Sequence, residues 1–367
     1  MGIERIEAYS VALRYAEPFT IAAGTSNETT NIVVKIFTDY DAVGWGESAP
    51  SKRVTGETTD TVLQTLDRIA PKLLGKCPLR IENDVEIMDN AGLGNPAAKA
   101  AIDVALLDIL GQTARKPLYR LIGGYRTEVL TDIALSIKPP KQMAQDAKKA
   151  VERGFKALKV KVGIDPDEDF QRIRFIREAV GCETKLRIDA NEGWKPEQAV
   201  EVLNKMDKYN VQFAEQPVSA DDLDGLRKVK KESPIPIMAD ESIHSPEDAL
   251  RLIKADAVDL INIKLMKCGG ILKARKIAAI AEAGGISCML GCMAESEIGL
   301  TAGTHLAAAI KNIKYADLDS DLLLRDRLVK KGGTQIKDST RTFLKTPGLG
   351  IDEVDQSLLG EPKRIYN

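Results

Sequence analysis

The 367-residue chain is 44% hydrophobic and carries 52 Lys+Arg against 54 Asp+Glu, a net charge of −2. That is enough apolar content for one large core plus a smaller domain, and with no basic tract or aromatic-interleaved patch the expected partner is a small molecule, not nucleic acid. The N-terminal MGIERIEAYSVALRY places charges where a secretion signal needs an apolar core, and no apolar run is long enough to span a membrane, which points to a cytoplasmic protein. The five cysteines, Cys77, Cys182, Cys268, Cys288 and Cys292, are odd in number and scattered, as reduced thiols are. Nothing in the composition excludes a homo-oligomer.

Residues 1 to about 50 alternate in strand fashion, as in TNIVVKIF and AVGWGE, and Glu57 to Ile122 reads as mostly helical. Together, 1–125 form an α+β capping domain. In PAAKAAIDVALLDILGQ, Ala98, Ala101, Ile102, Ala105, Leu106 and Ile109 recur at helical spacing and give one broad apolar face, with Pro96 suited to the first turn. The preceding Gly92-Leu93-Gly94-Asn95-Pro96-Ala97 matches a Gly-x-Gly-x-x-Ala string, but it follows no strand and contains a proline, so a loop entering the helix is expected.

From Thr127 to about Ser320 the pattern is strand, helix, strand, repeated. The strand candidates are VLTDIALSI, ALKVKV, KLRIDA, VQFAE, IPIMAD, LINIKL, ISCMLG and IKYADLD. Eight such units in about 190 residues argue for a (β/α) barrel over 126–320, with a poorly defined last helix. The fold class is therefore α/β, a capped barrel. The tail, 321–367, is expected to pack back on the cap.

Charged residues close these runs in a particular order: Lys159 and Lys161, Asp189 and Asn191, Glu215, Asp240, then Lys264. Catalytic groups of such barrels sit at the carboxyl ends of successive strands. Strand parity turns Lys159 and Lys161 to the barrel mouth, with Leu158, Val160 and Val162 opposite. The lysines fall on the second and sixth strands, diametrically opposed, and the carboxylates on the arc between. Three carboxylates without histidine or cysteine favour a hard cation, most simply one Mg²⁺ per subunit held by Asp189, Glu215 and Asp240. Such an ion suits proton abstraction next to a carboxylate, where an enediolate develops negative charge. A lysine with an ordinary pKa of ~10.4 must be shifted down to act as the base, and Lys159 beside Lys161 supplies like charge for that. With Lys161 and Lys264 on the two faces of the α-carbon, the outcome is inversion.

Lys159-Val160-Lys161, Asp189-Ala190-Asn191, Glu215-Gln216-Pro217, Asp240-Glu241-Ser242 and NIKLMKCGG together resemble the enolase superfamily, in its muconate lactonizing enzyme subgroup, and the likeness runs through GWGESAP, VTGET and PGLGI. It implies an enolase-type barrel and that superfamily's known metal-assisted scheme of lysine bases with Mg²⁺. Within the subgroup, Asp317 and Asp319 in ADLDSDL resemble the Asp-x-Asp motif with which dipeptide epimerases hold the substrate's α-ammonium group. The implied activity is epimerisation of an L-Ala-L-Xaa dipeptide at its C-terminal residue. N-acylamino acid racemase or o-succinylbenzoate synthase is the runner-up, and a catalytically silent binding protein the reading from another class. Members selective for Ala-Glu carry an arginine five residues after the Phe of a Pro-Phe pair. Here Pro18-Phe19 is followed by Gly24 at that position, which implies an uncharged, apolar Xaa; Lys52 and Arg53 of the second cap loop either stand in for the missing cation or face solvent. Asn191 and Glu241 are expected to orient ligands.

The remaining chemistry-bearing residues are expected to be structural. His244 and His305 belong to no ligand or triad pattern, Cys288 and Cys292 have no companion pair for zinc, and Cys268 precedes a Gly-Gly turn. Lys267 is expected to meet the following turn or solvent, and because Asp321 continues the acidic run, an ordinary polar loop is the rival reading for the segment of Asp317 and Asp319.

Overall fold

The computed structural model describes residues 1–367. Strands β1 (Ile3–Ile21), β2 (Gly24–Thr38) and β3 (Val43–Ser48) form an antiparallel meander. Its alternation turns Ile6, Ala8, Val34 and Ile36 onto helices α1 (Thr59–Leu73), α2 (Ile81–Ala91) and α3 (Pro96–Thr113), closing the core of the cap with Leu66, Met88, Ile102 and Leu106. The two glycines of GWGE explain how closely α3 approaches the sheet: a Cβ on Gly44 or Gly46 would run into the carbonyls of Ala105 and Ala101.

Where the sequence suggests a single apolar face, α3 is buried on nearly every side. Its polar residues are links to other parts of the fold. Asp103 accepts the Ile271 N–H at 2.5 Å, and Asp108 accepts those of Trp45 at 3.0 Å and Leu349 at 2.7 Å. The glycine-rich stretch before α3 is a loop, with Asn95 left-handed and Pro96 in the first turn.

After a short α4 (Leu118–Leu121), the run VLTDIALSI divides into β4 (Glu128–Leu130) and β5 (Ile133–Leu135). The division is a change of partner: β4 pairs with the tail, whereas β5 enters the barrel beside the next strand. The barrel continues through α5 (Pro140–Glu152), β6 (Ala157–Lys161), α6 (Pro166–Val180), β7 (Lys185–Asp189), α7 (Pro196–Met206), β8 (Val211–Glu215), α8 (Leu223–Glu232), β9 (Ile237–Ala239), α9 (Pro246–Lys254), β10 (Leu260–Ile263), α10 (Leu265–Cys268), α11 (Ile271–Ala283), β11 (Ser287–Gly291), α12 (Glu297–Ala309), β12 (Ile313–Asp317) and the single turn α13 (Ser320–Leu323). Strands β5 to β12 are parallel neighbours in chain order. The seam between first and last is bridged by Asp132 N–H to the Ala316 carbonyl, 3.2 Å. Asp165, Ser245 and Ser296 cap α6, α9 and α12 with side-chain oxygens, as short loop-to-helix turns require.

Phe213, Met238, Leu260 and Met289 fill the lower barrel interior, and a much larger apolar layer lies between strands and helices. The tail comprises β13 (Val329–Gly332), β14 (Thr334–Lys337), β15 (Thr340–Phe343), β16 (Ile351–Val354), α14 (Gln356–Leu359) and β17 (Arg364–Tyr366). β17 joins the edge of the cap sheet at β1, while the β14–β15 hairpin pairs with β4 at the foot of the barrel. Asp321, which follows the last strand, pairs with buried Arg341 of β15 at 2.5 Å.

Candidate active site

The ends of β6 to β10 and of β12 bring one cluster of charge together inside the barrel mouth. Lys159 and Lys161 share a face of β6, as strand parity requires, and both are buried. Lys159 Nζ lies 3.0 Å from Asp189, 2.9 Å from Glu215 and 2.7 Å from Asp317. Lys161 Nζ lies 2.6 Å from Asp189 Oδ2 and 3.3 Å from Asn191 Oδ1. From the other side, at the end of β10, Lys264 Nζ meets Asp240 Oδ2 at 2.7 Å. β6 and β10 stand four strands apart in the eight-strand ring, so Lys161 and Lys264 reach the same cavity from opposite walls.

Asp189, Glu215 and Asp240 are fully buried, and their ligand oxygens lie within 4.8 Å of one another. Burial alone would hold all three protonated. For Asp189 the attraction of Lys159 and Lys161 outweighs it, and for Asp240 that of Lys264 and Lys267, so both stay below the usual carboxylate range. Glu215 is pushed up by burial and by Asp189, against the pull of Lys159. Its Oε2 has no hydrogen bond of acceptable geometry, although the Lys159 ammonium is 2.9 Å away. Around the mouth, the ammonium groups of Lys159, Lys161, Lys264 and Lys267 face six carboxyl groups: Asp189, Glu215, Asp240, Glu241, Asp317 and Asp319. The triad Asp189, Glu215 and Asp240 offers an all-oxygen donor set, as Mg²⁺ prefers.

The loops after the strands are shaped to present these groups. Asn191 is left-handed at φ 43°, its N–H bonded to Asp189 Oδ1 at 2.9 Å, which leaves Oδ2 for the lysines. Its side-chain amide donates to Glu241 at 3.0 Å, completing a chain from Glu241 through Asn191 to Lys161. Gln216, also at positive φ, accepts the N–H groups of Asp240 and Ser242 and so ties the fourth strand end to the fifth.

Lys267 differs from the expectation of a turn or solvent contact. It is 1% exposed, and its ammonium bonds both the carboxylate and the main-chain carbonyl of Asp240. The one-turn helix α10 folds it back under β9, a local geometry that the run KLMKCGG does not announce. Lys159 likewise serves first to hold Asp189, Glu215 and Asp317 together, since its charge is surrounded by theirs. Glu47 of the GWGE motif fastens cap to barrel, accepting from Ser296 N–H at 2.9 Å, Gly299 N–H at 2.8 Å and Asn31 at 2.8 Å. The sequence does not single out Glu47, because no spacing rule tells that a carboxylate of the cap sheet meets the first N–H groups of α12 beside the Ser296 cap.

A cavity of about 410 Å³ opens between the cap loops and the barrel mouth. Lys161, Lys264, Asn191, Glu241, Asp317 and Asp319 line its floor, with Tyr15, Phe19, Ile21, Val54, Met293 and Leu323 above. Gly24, at the tip of the β1–β2 hairpin, lines it at φ 134° with no atom within 4 Å of where a Cβ would stand. Arg53 also lines it, its guanidinium donating to the Asn191 carbonyl at 2.9 Å and lying 3.5 Å from Glu192. Lys52 is exposed and outside the lining.

β12 ends at Asp317, and Asp319 follows in the loop, yet both carboxylates line the cavity. Asp317 gives one oxygen to Lys159, and Asp319 gives one to the Ala134 N–H at 2.6 Å and turns the other to the Cys292 thiol, 3.9 Å away. Each keeps acceptor capacity toward the cavity. His305 is buried, accepting the Tyr119 N–H, and His244 Nε2 donates to the Glu241 carbonyl; both stand outside the charged cluster.

Residues 5–123 match the mandelate racemase/muconate lactonizing enzyme N-terminal domain, and residues 142–357 the enolase C-terminal domain-like family. The chain is 45% identical over 353 residues to a hydrophobic dipeptide epimerase of Enterococcus faecalis, covering 96% of this chain and 99% of that protein. It is 44% identical over 359 residues to an L-Ala-D/L-Glu epimerase of Clostridium acetobutylicum, covering 97% and 100%. The solved structure of a dipeptide epimerase from Enterococcus faecalis V583, complexed with Mg and the dipeptide L-Leu-L-Tyr, superposes with a TM-score of 0.94 at 45% identity, over 96% of this chain and 100% of that one. No helix is long and apolar enough to cross a membrane, and all five cysteines are free.

Proposed function

The chain belongs to the mandelate racemase/muconate lactonizing enzyme family of the enolase superfamily, and we propose that it is a Mg²⁺-dependent dipeptide epimerase. It inverts the α-carbon of the C-terminal residue of an L-Ala-L-Xaa dipeptide by moving a proton from one face to the other. The observation that carries this reading is the pair of opposed lysines, Lys161 and Lys264, over one carboxylate triad, with two further carboxylates beyond it in the same cavity.

Asp189, Glu215 and Asp240 are the residues that would hold Mg²⁺, and a bound ion supplies positive charge against the negative charge that grows on the substrate carboxylate as the α-proton leaves. Lys161 takes or returns the proton at Nζ on one face, and Lys264 does so on the other. Lys159 keeps Asp189 and Glu215 in place and adds like charge beside Lys161. Asn191 and Glu241 orient Lys161 through their hydrogen-bonded chain. Asp317 and Asp319 receive the substrate's α-ammonium, the partner two partly free carboxylates favour.

The two curated relatives differ in the residue they act on while being almost equally similar to this chain, so the choice of Xaa rests on the cavity. Gly24 offers no side chain, Lys52 stands outside, and the Arg53 guanidinium is already engaged by Asn191 and Glu192. Phe19, Ile21, Val54 and Met293 present apolar surface. The preferred Xaa is accordingly apolar. The free thiols favour a reducing compartment, the cytoplasm.

Epimerisation of a panel of L-Ala-L-Xaa dipeptides and matched N-acyl amino acids, followed by α-deuteration in D₂O, tests the reading. Turnover that requires the free amino group supports it. Equal or better turnover of N-acyl amino acids would assign the chain to their racemases instead.

A further inference from the structure

We infer that Arg341 and Thr131 are positioning residues that set the two aspartates apart for amino-group recognition, so the C-terminal tail takes part in substrate selection. The inference rests on the dipeptide reading above. Leu318 lies between Asp317 and Asp319, and both polar atoms of its main chain are held from outside the barrel strand. Its N–H donates to Thr131 Oγ1 at 2.8 Å, and its carbonyl accepts from Arg341 Nε at 2.7 Å.

The two holders form one unit. Arg341 lies on β15 opposite Val129 of β4, and Thr131 follows β4 directly, with its own N–H on the Ser339 carbonyl at 2.8 Å. The Arg341 guanidinium is buried and locked in turn by Asp321 at 2.5 Å. A guanidinium buried this deeply, its charge met by one carboxylate and its Nε aimed at one carbonyl, fixes that carbonyl's direction more stringently than packing does.

Fixing the Leu318 peptide matters because of where its neighbours point. Asp317 is tied to Lys159 and Asp319 to Ala134, so each aspartate has one oxygen in a short anchor, the other oxygen of Asp319 having only the long thiol contact of Cys292 at 3.9 Å. Their separation is then set by the chain between them. If the Leu318 peptide rotates, one aspartate must give up its anchor or turn its remaining oxygen from the cavity. An ammonium group recognised by two carboxylates at once is sensitive to that separation, whereas a substrate without the ammonium is not.

The test compares L-Ala-L-Leu as substrate with N-propanoyl-L-leucine, the same molecule without the ammonium, as a competitive inhibitor. Thr131→Val removes the acceptor for the Leu318 N–H while keeping shape, Arg341→Lys keeps one donor, and Arg341→Met removes both. Thr131→Val and Arg341→Met should raise KM for L-Ala-L-Leu by about tenfold, the value of one well-placed hydrogen bond. They should change kcat by less than about threefold and leave the Ki of N-propanoyl-L-leucine unaltered. Arg341→Lys should fall between them and the unaltered protein. Equal weakening of both ligands, or an unchanged KM in Thr131→Val, would overturn the inference, and Thr131→Val decides it even if Arg341→Met fails to fold. Asp319→Asn separates the two levels. A KM unchanged by that substitution would remove the amino-group reading and this inference with it, while a KM raised by Asp319→Asn but not by Thr131→Val overturns the positioning role alone.

Discussion

Asp319 Oδ2 accepts the main-chain N–H of Ala134 at 2.6 Å, so the carboxylate that lines the cavity also binds the loop after the last barrel strand to the first. The site and the closure of the ring are therefore one structure at this point. Burial, then the charge of Asp317, pushes the Asp319 carboxyl up to about 7.

A pH dependence follows from that shift. Because the value is raised, the negative charge is present above about 7 and is lost as pH falls through it. The substrate's ammonium in turn loses its charge above ~8. For L-Ala-L-Leu, kcat/KM should fall on both sides of this window, the acid side through KM. Profiles of the protein and of Asp319→Asn check it: the acid-side rise in KM should be absent in the variant, and an identical acid limb in both would assign that limb to another group.

Metal removal should abolish turnover, and Mg²⁺ should restore it. Asp240→Asn should weaken Mg²⁺ binding by tenfold or more, on the order of the loss of one charged ligand oxygen. The same change leaves Lys264 and Lys267 without their charged partner, so stability should drop by roughly 3–5 kcal/mol. Calorimetric titration with Mg²⁺ and denaturant unfolding read the two effects separately. Undiminished activity after thorough chelation would defeat the metal assignment.

The barrel and its charged rim were legible because strand parity and strand-end position fix where a side chain points: Lys159, Lys161, Asp189, Glu215, Asp240 and Lys264 need only the count of strands to be placed. Lys267 was not, since it lies in a single helical turn whose fold-back is decided by tertiary contact with Asp240. The division of VLTDIALSI was hidden for a similar reason, because β4 acquires its partner from Thr340–Thr342 some two hundred residues on. α3 reads as amphipathic in isolation, yet Asp103 and Asp108 are buried by distant N–H groups that local periodicity cannot reveal. The cap-loop positions fall between these cases. Their sequence places them near the mouth, and only the structure separates Arg53, which reaches Asn191, from Lys52, which does not.

Selectivity should follow the cavity wall. L-Ala-L-Leu should exceed L-Ala-L-Glu in kcat/KM by at least about tenfold, since a glutamate side chain would enter apolar surroundings without a free cation. Arg53→Ala should change that ratio little. A maximum at L-Ala-L-Glu that collapses in Arg53→Ala would show instead that Arg53 leaves Asn191 and Glu192 for the substrate.

The two-base assignment is decided by α-proton exchange in D₂O with Lys161→Ala and Lys264→Ala, each given the two epimers of one dipeptide separately. Both variants should lose epimerisation, and each should still exchange the α-proton of the single epimer that faces its remaining lysine, with opposite epimers for the two variants. Exchange of both epimers at equal rates by either variant would contradict a proton passed between Lys161 and Lys264.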